Sequence, residues 1–268
     1  MASQRHPRVL VTRSPHQSSE LATKLRELEL EPVLVPAIEL APPSSFEALD
    51  AAVAGLGEFH WLVFTSANAV EVFRRRVEFL RVDAAGTRVR VAAIGPSTAR
   101  ALEAVGLTAE VIPPQAVAES LTEALLPHAR QADGTATRFL LVRAEDARDV
   151  IPEALRGAGA EVTIAAAYRT VIPVGSIDSI RELFAGEAPG VEAITFTSSS
   201  TVRNLLSLCE AAGVTLPRSV LRVSIGPITS ETLRSVGYAP HAEALEASVA
   251  ALAEAVRAAI DERAESAG

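Results

Sequence analysis

Tyr168, one of only two tyrosines, ends the apolar run EVTIAAAY (161–168), where a phenol is able to donate or relay a proton. Arg13 and Arg143 close two similar runs, VTR (11–13) and LVR (141–143). A guanidinium at such a strand end can grip a carboxylate through two parallel bonds. Each of these residues also has an ordinary reading, the tyrosine as a packing residue and the arginines as surface cations. Four short loops complete the set: Ser66-Ala67-Asn68, Gly95-Pro96-Ser97-Thr98, Ser198-Ser199-Ser200 and Gly226-Pro227-Ile228-Thr229. Each follows an apolar run and opens a helical pattern. Small residues let a ligand approach the backbone there, and the free first-turn N–H groups with the helix dipole favour an anion. Ser66, Thr98, Ser198 and Thr229 are equally suited to be plain helix caps. Repetition of T-S and I-G-P-x-T in both halves gives ligand contact equal weight, since a cap needs no Gly-Pro before it.

Other polar clusters carry blander expectations. Glu119 and Ser120 follow Pro113-Pro114 and fit a helix start, Arg74-Arg75-Arg76 fits a solvated helix face, and Glu145, Asp146 and Asp149 fit first-turn helix acids. The chemistry that is missing narrows the field. Lys24 is the single lysine, and no GxxxxGK[ST] or GxGxxG occurs, which removes most support for Schiff-base, ATP or dinucleotide chemistry. His6, His16, His60, His128 and His241 are scattered without HExxH spacing, and one cysteine, Cys209, makes no metal cluster or intrachain disulfide, so no metal or cofactor is expected. No Ser-His-Asp pattern or carboxylate pair stands out, which points to a reaction driven by substrate orientation. With 268 residues and net charge −8, neither nucleic acid nor an anionic membrane is an expected partner. No signal-like segment and no run of about 20 apolar residues is present, so a cytoplasmic protein is expected.

These residues need elements to hold them. Apolar runs of strand length stand at 8–12, 32–36, 61–65, 89–94, 109–113, 138–142, 161–168, 193–197 and 222–225. Helical patterns alternate with them, including 46–56, 68–80, 118–126, 199–209 and 247–260. The alternation predicts an α/β fold with parallel sheets, in which ligands bind beyond the carboxyl ends of the strands. FTSANAV (64–70) matches FTSSSTV (196–202) at an offset of 132, and IGPSTARALEAVGL (94–107) matches IGPITSETLRSVGY (225–238) at an offset of 131. VTR against LVR gives 130, so the chain holds two copies of one βα arrangement. The stretches 36–43 and 165–174 run from apolar residues into proline and suit connectors. Two lobes follow either as a tandem, 1–133 and 134–268, or by two crossings, 1–38 plus 171–268 and 39–170. Lobe size alone does not choose.

VTR, FTSANAV, IGPSTARALEAVGL, AYRT (167–170) and IGPITSETLRSVGY, in this order across essentially the whole chain, together resemble the uroporphyrinogen-III synthase family. The resemblance implies two flavodoxin-like parallel-sheet lobes with a cleft between them, joined by a two-stranded connector at 36–43 and 165–174, and so favours the crossing. It implies cyclisation of linear hydroxymethylbilane to uroporphyrinogen III: loss of the hydroxyl as water, an azafulvene, a spiro intermediate that inverts ring D, and closure. It implies no cofactor or metal, a monomer, and transient contact with the preceding enzyme of the pathway. By motif Tyr168 is the family's tyrosine, placed to assist departure of the hydroxyl. Ser66, Thr98, Ser198 and Thr229 resemble its cleft hydroxyls, with Asn68, Gly95, Ser199, Gly226 and Arg143 beside them as substrate contacts. Arg13 resembles the arginine at the first strand end, although the usual TRP reads TRSP (12–15) here. A two-lobed tetrapyrrole-binding or sensor module without turnover is the alternative. A periplasmic-type binding protein is a third reading, disfavoured by the missing signal segment.

Overall fold

The computed structural model describes residues 6–12, 15–84, 86–186 and 188–267. In chain order the elements are β1 (Arg8–Val11), α1 (Pro15–Glu27), β2 (Glu31–Leu34), β3 (Glu39–Ala41), α2 (Glu47–Ala54), β4 (Trp61–Phe64), α3 (Ala67–Leu80), β5 (Arg90–Ala93), α4 (Pro96–Glu103) and α5 (Ala118–Leu125). There follow β6 (Arg138–Ala144), α6 (Val150–Gly157), β7 (Glu161–Val171), α7 (Val174–Phe184), β8 (Ala193–Phe196), α8 (Ser199–Ala212), β9 (Leu221–Ser224), α9 (Pro227–Ser235), β10 (Ala242–Glu243) and α10 (Val249–Ala267). The chain divides into two compact units, Met1–Glu39 with Val171–Gly268, and Leu40–Thr170.

The first unit holds a parallel sheet in the order β2-β1-β8-β9-β10. Numbered within the unit this is 2-1-3-4-5, the doubly wound order of flavodoxin-like sheets. The second unit holds β3-β7-β6-β4-β5, with β7, β6, β4 and β5 mutually parallel and Val111 adding one parallel bridge to Ala92 of β5. Leaving out β3 and counting the Val111 bridge as the fifth position, its order from β6 is again 2-1-3-4-5. The second sheet is therefore a circular permutation of the first, which is what offsets of 130 to 132 require when each unit takes strands from both copies of the repeat.

The central strands β4, β8 and β9 are buried along their whole length, as strands covered on both faces require. Alternate residues feed opposite cores: Leu10 packs with Phe196 and Leu205 while Val9 and Val11 pack with Leu25 and Leu252. In the second unit Leu62 and Phe64 face Phe73 and Leu102, while Trp61 and Val63 face Leu121 and Leu155. α2 and α3 are clamped by Arg76, which holds Asp50 through two 2.6 Å bonds and lies over the Phe46 ring at 4.8 Å. Only Arg74 and Arg75 of the arginine run occupy a solvated face, paired with Glu71 and Glu78.

Several expectations are corrected. The run at 109–113 is no strand but a single bridge at Val111, because Pro113 and Pro114 have no N–H to extend a ladder. The stretch 165–174, expected as an extended connector, is strand β7 through Val171, and its last residue, Val174, already begins α7. Glu145 and Asp146 lie in the turn before α6, and Asp149 is its N-cap residue, so none sits in the first turn.

Candidate functional site

In the second unit the carboxyl ends of β4, β5, β6 and β7 deliver Thr65 and Ser66, Ile94 and Gly95, Arg143, and Tyr168 respectively. Tyr168 reaches this position through an irregularity in the ladder: Arg143 pairs with Ala166 but Ala144 pairs with Tyr168, so Ala167 is the extra residue. The Tyr168 carbonyl accepts from Glu145 N–H at 2.7 Å, which fixes the backbone beneath the ring. The phenol O–H donates to Ser66 Oγ at 3.1 Å. Ser66 Oγ also accepts from Ala69 N–H at 3.1 Å, so one hydroxyl caps α3 and anchors the tyrosine. Capping and site-building are therefore the same contact here.

Tyr168 borders two cavities. One, of about 370 Å³, is lined by Thr65, Ile94, Val117, Ala118 and Arg143 as well as the tyrosine. The other, of about 440 Å³, lies toward α3 and is lined by Phe46, the exposed Asn68 and Val72.

Arg143, a candidate substrate contact with a surface cation as the alternative, is buried at 6% exposure, so it is not a plain surface arginine. Its Nη1 donates to the Arg148 carbonyl at 2.8 Å and its Nη2 to Asp149 Oδ1 at 2.5 Å, which folds residues 144–149 over it. Nε is buried without a hydrogen-bond partner among the described residues. An unsatisfied donor on a buried cation is costly, and it belongs to a residue lining the cavity. Arg148 pairs with Glu119 at 3.0 Å; hydrogen bonding to the Glu119 backbone and then to Arg148 holds that carboxyl below its usual range. Sequence reading missed Arg148 and the Val117–Ala118 wall, and the only signal for them was their nearness to helix starts.

Gly95 is the N-cap residue of α4 and its backbone is extended. A side chain there would meet Ala116 Cβ at 2.7 Å, so the glycine makes room for the chain leading to α5. Thr98 is buried in the first turn of α4.

In the first unit the corresponding ends belong to β8 and β9. Ser198 caps α8 in a reciprocal pair, its Oγ accepting from Thr201 N–H at 3.2 Å while its own N–H donates to Thr201 Oγ1 at 3.1 Å. Ser199 Oγ lies 2.6 Å from Thr232 Oγ1, and since Thr232 donates to the Ile228 carbonyl, Ser199 is the donor that ties α8 to α9. Thr229 is buried, with its N–H on the Gly226 carbonyl at 3.1 Å. Gly226, unlike Gly95, has open space where a side chain would stand. Thr12, after β1, is buried with Oγ1 lacking a partner among the described residues. Arg13 lies outside the described residues.

The arrangement offers a positioned phenol, an inward guanidinium and helix starts with small residues, the equipment for holding an anionic substrate and moving one proton. Among the described residues no group of three His, Cys, Asp or Glu side chains is placed to hold a metal ion. No helix among them is long and apolar enough to cross a membrane.

Comparison with known proteins bears on what that equipment is for. The family model for uroporphyrinogen-III synthase HemD matches residues 19–254. A uroporphyrinogen-III synthase from Synechococcus elongatus is 36% identical over 234 residues, covering 85% of this chain and 86% of its relative. A putative uroporphyrinogen-III synthase from Methanothermobacter thermautotrophicus is 34% identical over 235 residues, covering 85% and 88%. Among solved structures, a mutant uroporphyrinogen III synthase from Thermus thermophilus aligns over 96% of this chain and 99% of its own, with TM-score 0.66 and 20% identity, a likeness of fold.

Proposed function

The chain belongs to the uroporphyrinogen-III synthase family, the cyclising lyases of tetrapyrrole biosynthesis, and from that membership we propose that it turns over hydroxymethylbilane at the carboxyl ends of its two sheets. The observation that carries the assignment of the site is the Tyr168 phenol, held on Ser66 above two cavities.

In the first step the C–O bond of the terminal hydroxymethyl group breaks. The pyrrole nitrogen lone pair pushes the oxygen out as Tyr168 supplies the proton; water leaves, and loss of the pyrrole N–H proton, which restores the phenol, gives the azafulvene. For this the substrate hydroxyl replaces Ser66 Oγ as the acceptor of the phenol proton, and Ser66 remains as the group that aims the ring. The azafulvene carbon is then attacked at the substituted position of ring D, giving the spiro intermediate. Its rearrangement inverts that ring before closure. These later steps rest on holding the chain in a folded conformation, which binding energy supplies, and the proton that ring D gives up at closure balances the one regained by the nitrogen of the ring that formed the azafulvene.

The substrate's acetate and propionate carboxylates are held by the loops Ser66–Asn68, Gly95–Thr98, Ser198–Ser199 and Gly226–Thr229, with Arg143 and Arg13. Because Ser66 and Ser198 already serve as caps and Thr98 and Thr229 are buried, the contacts fall mainly on first-turn backbone N–H groups. Such donors hold carboxylates without regard to a net charge of −8. The two compact units act as lobes linked at 36–43 and 165–174. We take the protein to be a monomer that meets the preceding enzyme only transiently, and to be cytoplasmic, the compartment that its single, buried, unpaired cysteine suits.

The test is to incubate purified protein with freshly generated hydroxymethylbilane and measure type III against type I uroporphyrin after oxidation. Type III in excess is the expected result. Type I alone, the product of spontaneous closure, would refute turnover and leave a binding module.

A further inference from the structure

Trp61 and Arg90 are the first residues of β4 and β5, so they lie at the end of the second sheet opposite Tyr168. Four residues of strand at roughly 3.3 Å each put about 13 Å between the two ends. A cavity of about 580 Å³ opens at this amino end, lined by His60, Trp61, Arg88, Arg90, His128 and Arg130 among others. No carboxylate side chain is among its described lining residues.

The cations there are poorly compensated. Arg90 meets Glu110 at 2.8 Å, an exposed pair worth little in water. Arg88 has no ion-pair partner among the described residues, and Arg130 donates Nη1 to the Gly134 carbonyl at 3.0 Å. Asp133, near Arg130 in sequence, has its carboxylate occupied by the Thr135 N–H and O–H at 2.9 and 2.6 Å. His60 Nδ1 accepts from Arg138 N–H at 2.9 Å, which leaves Nε2 as the donor nitrogen of the neutral ring. The floor is fixed: the Arg90 guanidinium lies 4.0 Å above the Trp61 ring, and the His128 ring is 4.9 Å from it. In a chain of net charge −8, three guanidiniums around one concavity outnumber the two carboxylates beside it, Glu110 and Asp133, and leave a local positive excess.

We propose that this amino-end cavity is a second binding site, for a small polyanion bearing phosphate or carboxylate groups. Guanidinium forks pair with either oxyanion through two parallel bonds, and His60 Nε2–H adds a neutral donor. The site stands apart from Tyr168 and does not depend on the reaction assigned there.

Trp61 is the single tryptophan and lines this cavity, so in the folded protein its emission reports on binding here. The intact protein is titrated with inorganic pyrophosphate and, separately, with citrate, against sodium chloride at matched ionic strength, with calorimetry in parallel to detect binding that leaves the indole silent. A saturable response to one or both anions is expected, and the tighter of the two identifies the ligand's chemistry. The double variant Arg88→Gln/Arg130→Gln is expected to weaken binding about tenfold or more, since charge-assisted bonds are lost. Its conversion of hydroxymethylbilane stays at the wild-type level, so failure of this site and failure of the synthase reading are separable. Should the double variant not fold, Arg88→Gln alone, at an exposed position, carries the comparison. Absence of binding by both methods, a response matched by chloride, or full binding by the variants overturns the site.

Discussion

One bond joins the proton donor to the helix beside it. Tyr168→Phe keeps the ring and its packing but removes the O–H held on Ser66. Loss of a positioned acid costs roughly 10² to 10⁴ in rate. The expected outcome is a fall of at least about a hundredfold in kcat for type III formation, with the melting temperature within a few degrees, because one hydrogen bond contributes only about 1 kcal/mol. Unchanged kcat would take the proton step away from Tyr168. Ser66→Ala removes the cap of α3 together with the tyrosine's anchor, costing about 1 kcal/mol of stability as well as activity, whereas Ser66→Thr keeps the oxygen and should recover both. If Ser66→Ala loses stability but keeps kcat, the serine is a cap alone. The types and spacing of these two residues were legible in the sequence, since a tyrosine ending an apolar run and a T-S loop opening a helix are both visible. Their contact was not, because it depends on the extra residue Ala167, and a one-residue shift in a ladder leaves no mark on periodicity. The burial of Arg143 was not legible for a related reason: a strand-end position does not say whether a long side chain turns outward or is folded over by the loop that follows.

Equivalent positions in the two copies of the repeat make natural controls for what each element requires. Gly95 and Gly226 both open a helix with Pro next, yet only Gly95 is crowded, by Ala116 Cβ. Gly95→Ala should therefore destabilise by about 1 to 3 kcal/mol through overpacking, while Gly226→Ala should leave the melting temperature unchanged. If Gly226→Ala nonetheless raises KM, the open space above it is where substrate approaches. If both variants melt alike, the crowding at Gly95 is relieved by a small movement. A second pair ends α3 and α8: Arg81 and Gly213 both adopt left-handed backbone, at φ 56° and 70°. Glycine takes that conformation without steric cost and arginine does not, so Arg81→Gly is expected to stabilise by about 1 kcal/mol; a lowered melting temperature would show that the arginine side chain contributes more than the strain removes. Strand runs and most helices were legible because the central strands are covered on both faces and read as apolar runs. β10 was not, since its two residues, Ala242 and Glu243, are too few to make a pattern.

At the scale of the molecule, the repeat and the compact units do not coincide, and that mismatch has a measurable consequence. The first unit is assembled from both ends of the chain, so β1 finds its partner β8 only after an intervening segment of about 130 residues has been accommodated. That segment is the second unit, continuous in sequence and furnished with its own two core layers. Multidomain chains commonly depart from two-state unfolding, and this one carries a native reporter in each unit. Cys209 is the single cysteine, buried in the first unit on α8, and burial pushes its thiol up to about 11. At pH 7 the thiolate fraction is then on the order of 10⁻⁴, and the thiol should resist alkylation until that unit opens. Trp61 is the single tryptophan and is buried in the second unit at 1% exposure. Thiol labelling and indole emission across a denaturant series thus follow the two units separately. Similar midpoints in the wild type would not distinguish joint from independent unfolding, but Gly95→Ala does, because its strain lies wholly in the second unit. The expected result is a lower midpoint for the Trp61 curve with the Cys209 curve unmoved. If both curves shift together by the same amount, the two units unfold as one cooperative body, and the crossings near 39–40 and 170–171 transmit stability as well as chain.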